Sequence, residues 1–132
     1  VRKLVWIKEA GVAIVCDDVE LASPGRIELR FFPERKPVQS SDAVVEATTP
    51  RNSVRIENLT PARSVLTLGT QFVEERSSSS GENRPLVTVA ADASSLKQVT
   101  AVTWAALPAA APVVTYDEQA GTVTVNGKTY TL

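Results

Sequence analysis

The chain has 132 residues, of which 43% are hydrophobic and 22% charged, with a formal net charge of −1. This length suits one domain that folds on its own apolar core, and the composition excludes disorder of the whole chain. The near-zero charge gives no electrostatic case for nucleic acid or an anionic membrane surface. The absence of histidine and the single cysteine exclude histidine-dependent catalysis, histidine metal ligation, internal disulfides and cysteine zinc cages.

Apolar and polar residues alternate with period two along most of the chain, the pattern of half-buried strands. Arg2 to Lys8 reads as a first strand, Glu9-Ala10-Gly11 as a tight turn, and Val12 to Val15 as a strand buried on both faces; together they form a hairpin. Ser23-Pro24-Gly25 marks a turn. In the strand after it, Ile27, Leu29 and Phe31 share one face and Arg26, Glu28 and Arg30 the other, and Pro33 and Pro37 end it. Short strands follow at Val44–Ala47 and Ser53–Glu57, then at Ser64–Leu68 and Gln71–Glu74, with a bulge expected at Gly69. Arg76 to Arg84, which contains Ser77-Ser78-Ser79-Ser80, reads as a polar low-complexity loop closed by Pro85.

Leu86–Ala90 resumes strand character, Ala91–Ser95 reads as a turn or one helical turn, and Val99–Trp104 alternates again. Ala105–Pro112 is too proline-broken for a helix. Near the C-terminus, Val113–Tyr116 is a strand and Asp117–Gly121 a turn. Asn126-Gly127 then joins two β-branched runs, because both turn positions tolerate positive φ. Val123, Val125, Tyr130 and Leu132 are expected to face one core. About eleven short strands with turn signals roughly every 8–12 residues predict an all-β fold, an antiparallel β-sandwich or barrel of ten to twelve strands in a single domain, residues 1–132. No stretch of about 18 apolar residues occurs, so no membrane-spanning helix is expected. The start at Val1 fits a piece of a longer protein, with signal-peptide removal as the alternative.

Few residues carry chemistry. Asp17, Asp18 and Glu20 are the densest acidic cluster, but they lack calcium-loop spacing and alternation sends the two aspartates to opposite faces, so paired or solvated carboxylates are the expectation. Arg26, Glu28 and Arg30 form a charged stripe, repeated at Arg55 and Glu57. It is either a solvated sheet face or a contact for an anionic sugar, since guanidinium matches carboxylate geometry. Trp6 and Trp104 are either core residues, which their apolar neighbours favour, or stacking surfaces for sugar rings. Tyr116 and Tyr130 have no partner nearby in sequence for acid–base work, and no nucleophile elbow surrounds the serine run. Cys16 reads as a small buried hydrophobe. No catalytic residue, metal ligand or cofactor is assigned.

The opening hairpin, Arg2-Lys3-Leu4-Val5-Trp6-Ile7-Lys8 followed by Val12 to Val19, resembles a stretch of the heparinase II/III-like polysaccharide lyases, with Arg26–Pro33 in the place of their next strand. Val123 to Leu132 is similar to that family's closing strands. The resemblance implies the C-terminal β-sandwich domain of an enzyme whose N-terminal α/α toroid is its partner and whose cleft takes uronic-acid polysaccharides for β-elimination. It implies a structural role for Asp17, in anchoring the turn, and a periplasmic or secreted setting. The family's catalytic tyrosine and histidine match nothing in this chain, so a catalytic role does not carry over. An independent extracytoplasmic module that binds carbohydrate or protein, and a structural domain that pairs through edge strands, are the alternatives.

Overall fold

A computed structural model describes residues 1–74 and 81–132, so the expected serine loop at Ser77–Ser80 lies outside the described residues. The fold is an all-β sandwich with antiparallel pairing throughout. Among the described residues there are ten strands: β1 Arg2–Ile7, β2 Val12–Phe31, β3 Val38–Ser41, β4 Val44–Thr48, β5 Asn52–Asn58, β6 Val65–Glu74, β7 Gly81–Ala106, β8 Val114–Asp117, β9 Thr122–Val125 and β10 Lys128–Thr131. Seven form one sheet in the order β1-β2-β7-β5-β4-β3, with β6 also on β7, and β10-β9-β8 form a second. No helix among them is long and apolar enough to cross a membrane.

The first hairpin closes as the sequence predicts. Lys8–Ala10 makes a single 3₁₀ turn and Gly11 ends it at φ 63°. Gly11 is required there twice over: its φ is left-handed, and a Cβ would lie 2.6 Å from the Trp104 carbonyl oxygen. At the other end of the chain, Asn126 and Gly127 both take positive φ and join β9 to β10.

Two strands are far longer than expected. β2 has 20 residues and β7 has 26, and they pair from Val12↔Thr103 to Phe31↔Val87. The Ser23-Pro24-Gly25 signal is not a turn between strands. It falls in an irregularity where the β2–β7 register shifts between Glu20 and Gly25, and the Ala91–Ser95 segment stays in strand opposite it. Proline has no N–H to give a ladder, so Pro24 is tolerated only at such a bulge. Likewise β6 runs through Gly69 with unbroken register, and β7 begins at Gly81, before Pro85.

The register shift marks a corner that separates a proximal half of the β2–β7 ribbon (Val12–Glu20 with Ser95–Thr103) from a distal half (Gly25–Phe31 with Val87–Ala93). Val87 and Val89 of the distal half share one buried cluster with Leu66, Val45 and Ile56, against which Val102 also packs. A straight strand would put Val89 about 40 Å from Val102, so the ribbon turns back and its distal half, with β6, roofs one face of the proximal sheet. The opposite face carries the larger core. Ile7, Val12, Ile14, Cys16, Val99 and Ala101 pack there against Val114, Val123 and Val125 of the second sheet, with Tyr130 and Leu132 alongside as predicted.

β5 and β6 both lie on the side of β7 away from β2, pairing with residues 100–106 and 81–90. The turn between them plugs the gap. Leu59 N–H donates to the Val99 carbonyl at 2.9 Å, and Val99 N–H donates to Thr60 Oγ1 at 3.3 Å. Asn58 holds the plug together: its Nδ2 donates to the Ser64 carbonyl (2.9 Å) and Oγ (3.1 Å), and its Oδ1 accepts from Thr60 N–H (3.0 Å) and Oγ1 (3.2 Å). All three side chains are buried. Asn58→Ala strands these buried groups and is expected to destabilise the fold by about 3 kcal/mol. Urea unfolding checks this, with the midpoint falling and the slope unchanged; an unshifted midpoint would show that the plug is not structural.

Candidate functional site

Alternation after the corner sends Ile27, Leu29 and Phe31 inward and Arg26, Glu28 and Arg30 outward. The outward residues stand across from Asp92, Ala90 and Thr88 of β7. Arg26 Nε donates to Glu28 Oε1 at 2.8 Å, Arg30 Nε donates to Glu28 Oε2 at 2.7 Å, and Arg26 Nη1 reaches Asp92 Oδ2 at 3.4 Å. One carboxylate thus grips two guanidiniums. Hydrogen bonds from Arg26 first and Arg30 second hold the Glu28 carboxyl below the usual glutamate range, and the bond to Glu28 raises Arg26 in turn.

Beside the stripe runs an open groove of about 450 Å³ lined by Arg26, Arg63, Ser64, Thr67, Ala90 and Asp92. Its other cation, Arg63, is paired with Glu118 on the turn between β8 and β9. Two guanidiniums balance two carboxylates within the Arg26–Glu28–Arg30–Asp92 group. An anionic ligand here therefore competes with carboxylates that already engage part of each guanidinium.

The remaining candidates do not converge on this stripe. Asp17 is buried and accepts both Arg2 Nε (2.6 Å) and Nη2 (3.0 Å), while Asp18 and Glu20 are exposed. Asp17 therefore does not anchor the turn at Gly11. It pins the opposite end of the hairpin, where Arg2 pairs with it across the ladder. Among the described residues no three His, Cys, Asp or Glu side chains stand close enough to hold a metal ion.

Core packing fails for Trp6. Its side chain is 61% exposed, because even positions of β1 face away from the second sheet and the distal roof does not reach them. Trp104, half-buried, meets it with ring centroids 5.2 Å apart and tilted by 50°. The Tyr116 hydroxyl is buried, and Tyr130 packs against the larger core. Cys16 is buried, and desolvation pushes its thiol pKa up, the direction that suppresses thiolate.

No family model and no curated protein sequence matches the chain. Solved structures do. Heparan sulfate lyase HepC from Pedobacter heparinus and a mutant of the same enzyme each match at a TM-score of 0.73 and 20% identity. The chain has the fold of one part of a heparan sulfate lyase. The match covers 99% of this chain but 23% of the lyase, so the chain spans about a quarter of the length of its structural neighbours.

Sequence reading found the stripe but not its internal neutralisation, and it missed Arg2 as the partner of Asp17 and Arg63 as a groove residue. Spacing alone carried part of the first signal, since i and i+2 side chains on a strand share a face. Arg2–Asp17 crosses between two strands and Arg63–Glu118 joins two turns distant in sequence, so neither left a local trace.

The Glu28 grip predicts a charge switch. Glu28→Gln leaves Arg26 and Arg30 with one fewer carboxylate, and the variant is expected to elute from a heparin column at higher salt than the unchanged protein. Because the Glu28 pKa is lowered, its carboxylate favours the folded state above the unfolded value and loses that effect as pH falls through the lowered one. The elution difference between the two proteins should therefore vanish only below the ordinary glutamate range. Equal elution at neutral pH would show that Glu28 does not mask the arginines.

Proposed function

We propose that this chain is the non-catalytic C-terminal β-sandwich domain of a uronic-acid polysaccharide lyase of the heparinase II/III-like kind, supporting one wall of its substrate cleft. The observation that carries the reading is the overlay of nearly the whole chain on under a quarter of heparan sulfate lyase HepC. The resemblance of the opening hairpin and closing strands to the same family supports it from an independent direction.

β-Elimination from a uronate requires a base for the proton next to the carboxylate, an acid for the departing oxygen, and a group that neutralises the carboxylate. This chain has no histidine. Its two phenols are turned into the sandwich, with the Tyr116 hydroxyl out of reach of a polymer. The proton-transfer groups therefore belong to a partner, the N-terminal α/α toroid of the parent chain, in a periplasmic or secreted enzyme. What the sandwich supplies is a rigid wall. Within it, Arg26 and Arg30 are the groups that would meet an anionic sugar once Glu28 releases them.

An assay separates the parts. The purified 132-residue chain is expected to form no unsaturated uronate product from heparan sulfate or alginate. The full product of its gene is expected to form it, and deleting this domain from that product should cut the yield sharply. Turnover by the isolated chain would overturn the non-catalytic assignment.

A further inference from the structure

The face of the proximal sheet that carries Val45, Ile56 and Val102 is only partly roofed by the distal half. On the same face, toward the edge, Trp6 lies across from Ala13, which lies across from Val102, and Leu4 lies across from Val15. Leu4 is 63% exposed, slightly more open than Trp6. Trp6 leans on Trp104, so the patch is already shaped rather than dependent on a ligand to form it. β1 is also an edge strand, where proteins ordinarily place charge to prevent association. Its charges, Arg2 and Lys3, sit at the start of the strand and leave Leu4 and Trp6 uncovered.

The chemistry of the patch narrows its occupant. A sugar site combines a ring-stacking surface with polar groups that fix hydroxyls. Here Leu4, Ala13 and Val15 present no such group, and Arg2, next on the same face, is already committed to Asp17 by two hydrogen bonds. An exposed apolar patch with a closed polar border fits an apolar protein surface.

We propose that the Leu4–Trp6–Trp104 face is an interdomain contact, covered by apolar surface from the remainder of a longer parent chain. This rests on the domain reading above. What identifies the occupant is the size of the neighbour: in HepC the matching part makes up 23% of one polypeptide, so most of that chain lies outside it.

Hydroxyl-radical footprinting, read peptide by peptide by mass spectrometry, tests the contact in both the 132-residue chain and the full product of its gene. Trp6 is expected to oxidise readily in the short chain and to lose that oxidation in the long one. Leu4→Glu should leave the unfolding midpoint of the short chain unchanged, yet restore Trp6 oxidation in the long product. Trp6 equally open in both would overturn the contact while leaving the domain reading intact. A gene product no longer than this chain would overturn both. Protection of Trp6 in the short chain on raising its concentration would instead assign the face to a second copy, and protection by added heparan sulfate would assign it to sugar; either result overturns the proposal.

Discussion

The structure depends on keeping β2 and β7 paired through a corner. Their shared ladder runs from Val12↔Thr103 to Phe31↔Val87, and a buried unpaired amide costs about 1–3 kcal/mol. The ladder therefore cannot simply stop where the chain must turn. It shifts register between Glu20 and Gly25 and continues. One ribbon consequently serves two cores, packing against the three-stranded sheet with its proximal half and against Val45 and Ile56 with its distal half.

Bending the ribbon creates a second requirement. β5 and β6 cannot meet along β7, and the gap between them exposes ladder groups near Val99. A polar turn is the solution available to a chain this short. Asn58 is suited to it because one amide offers donors and an acceptor together, and here both ends are used. The same turn carries Arg63 to Glu118, tying the distal region to the second sheet.

The surface follows from the same geometry. Residues that the bend turns outward are charged but paired among themselves, as in the Arg26–Glu28–Arg30 stripe. Residues that the bend fails to cover, Leu4 and Trp6, are apolar and open. A lone solvated domain gains nothing from the second arrangement. Both features fit the reading proposed above, in which the charged stripe faces an anionic polymer and the apolar face meets a neighbouring domain.

The sequence by itself determined the strand character, the faces of each strand, the Gly11 and Asn126-Gly127 turns, the burial of Cys16 and the absence of histidine chemistry. These are local properties, set by period-two alternation and by which residues tolerate positive φ. Only the tertiary structure decided that Ser23-Pro24-Gly25 is a corner within one strand, that Asp17 serves Arg2, that Glu28 neutralises two arginines, and that Trp6 stands open. Alternation tells which residues share a face, but whether that face meets a core, a partner or water depends on the three-dimensional path of strands distant in sequence.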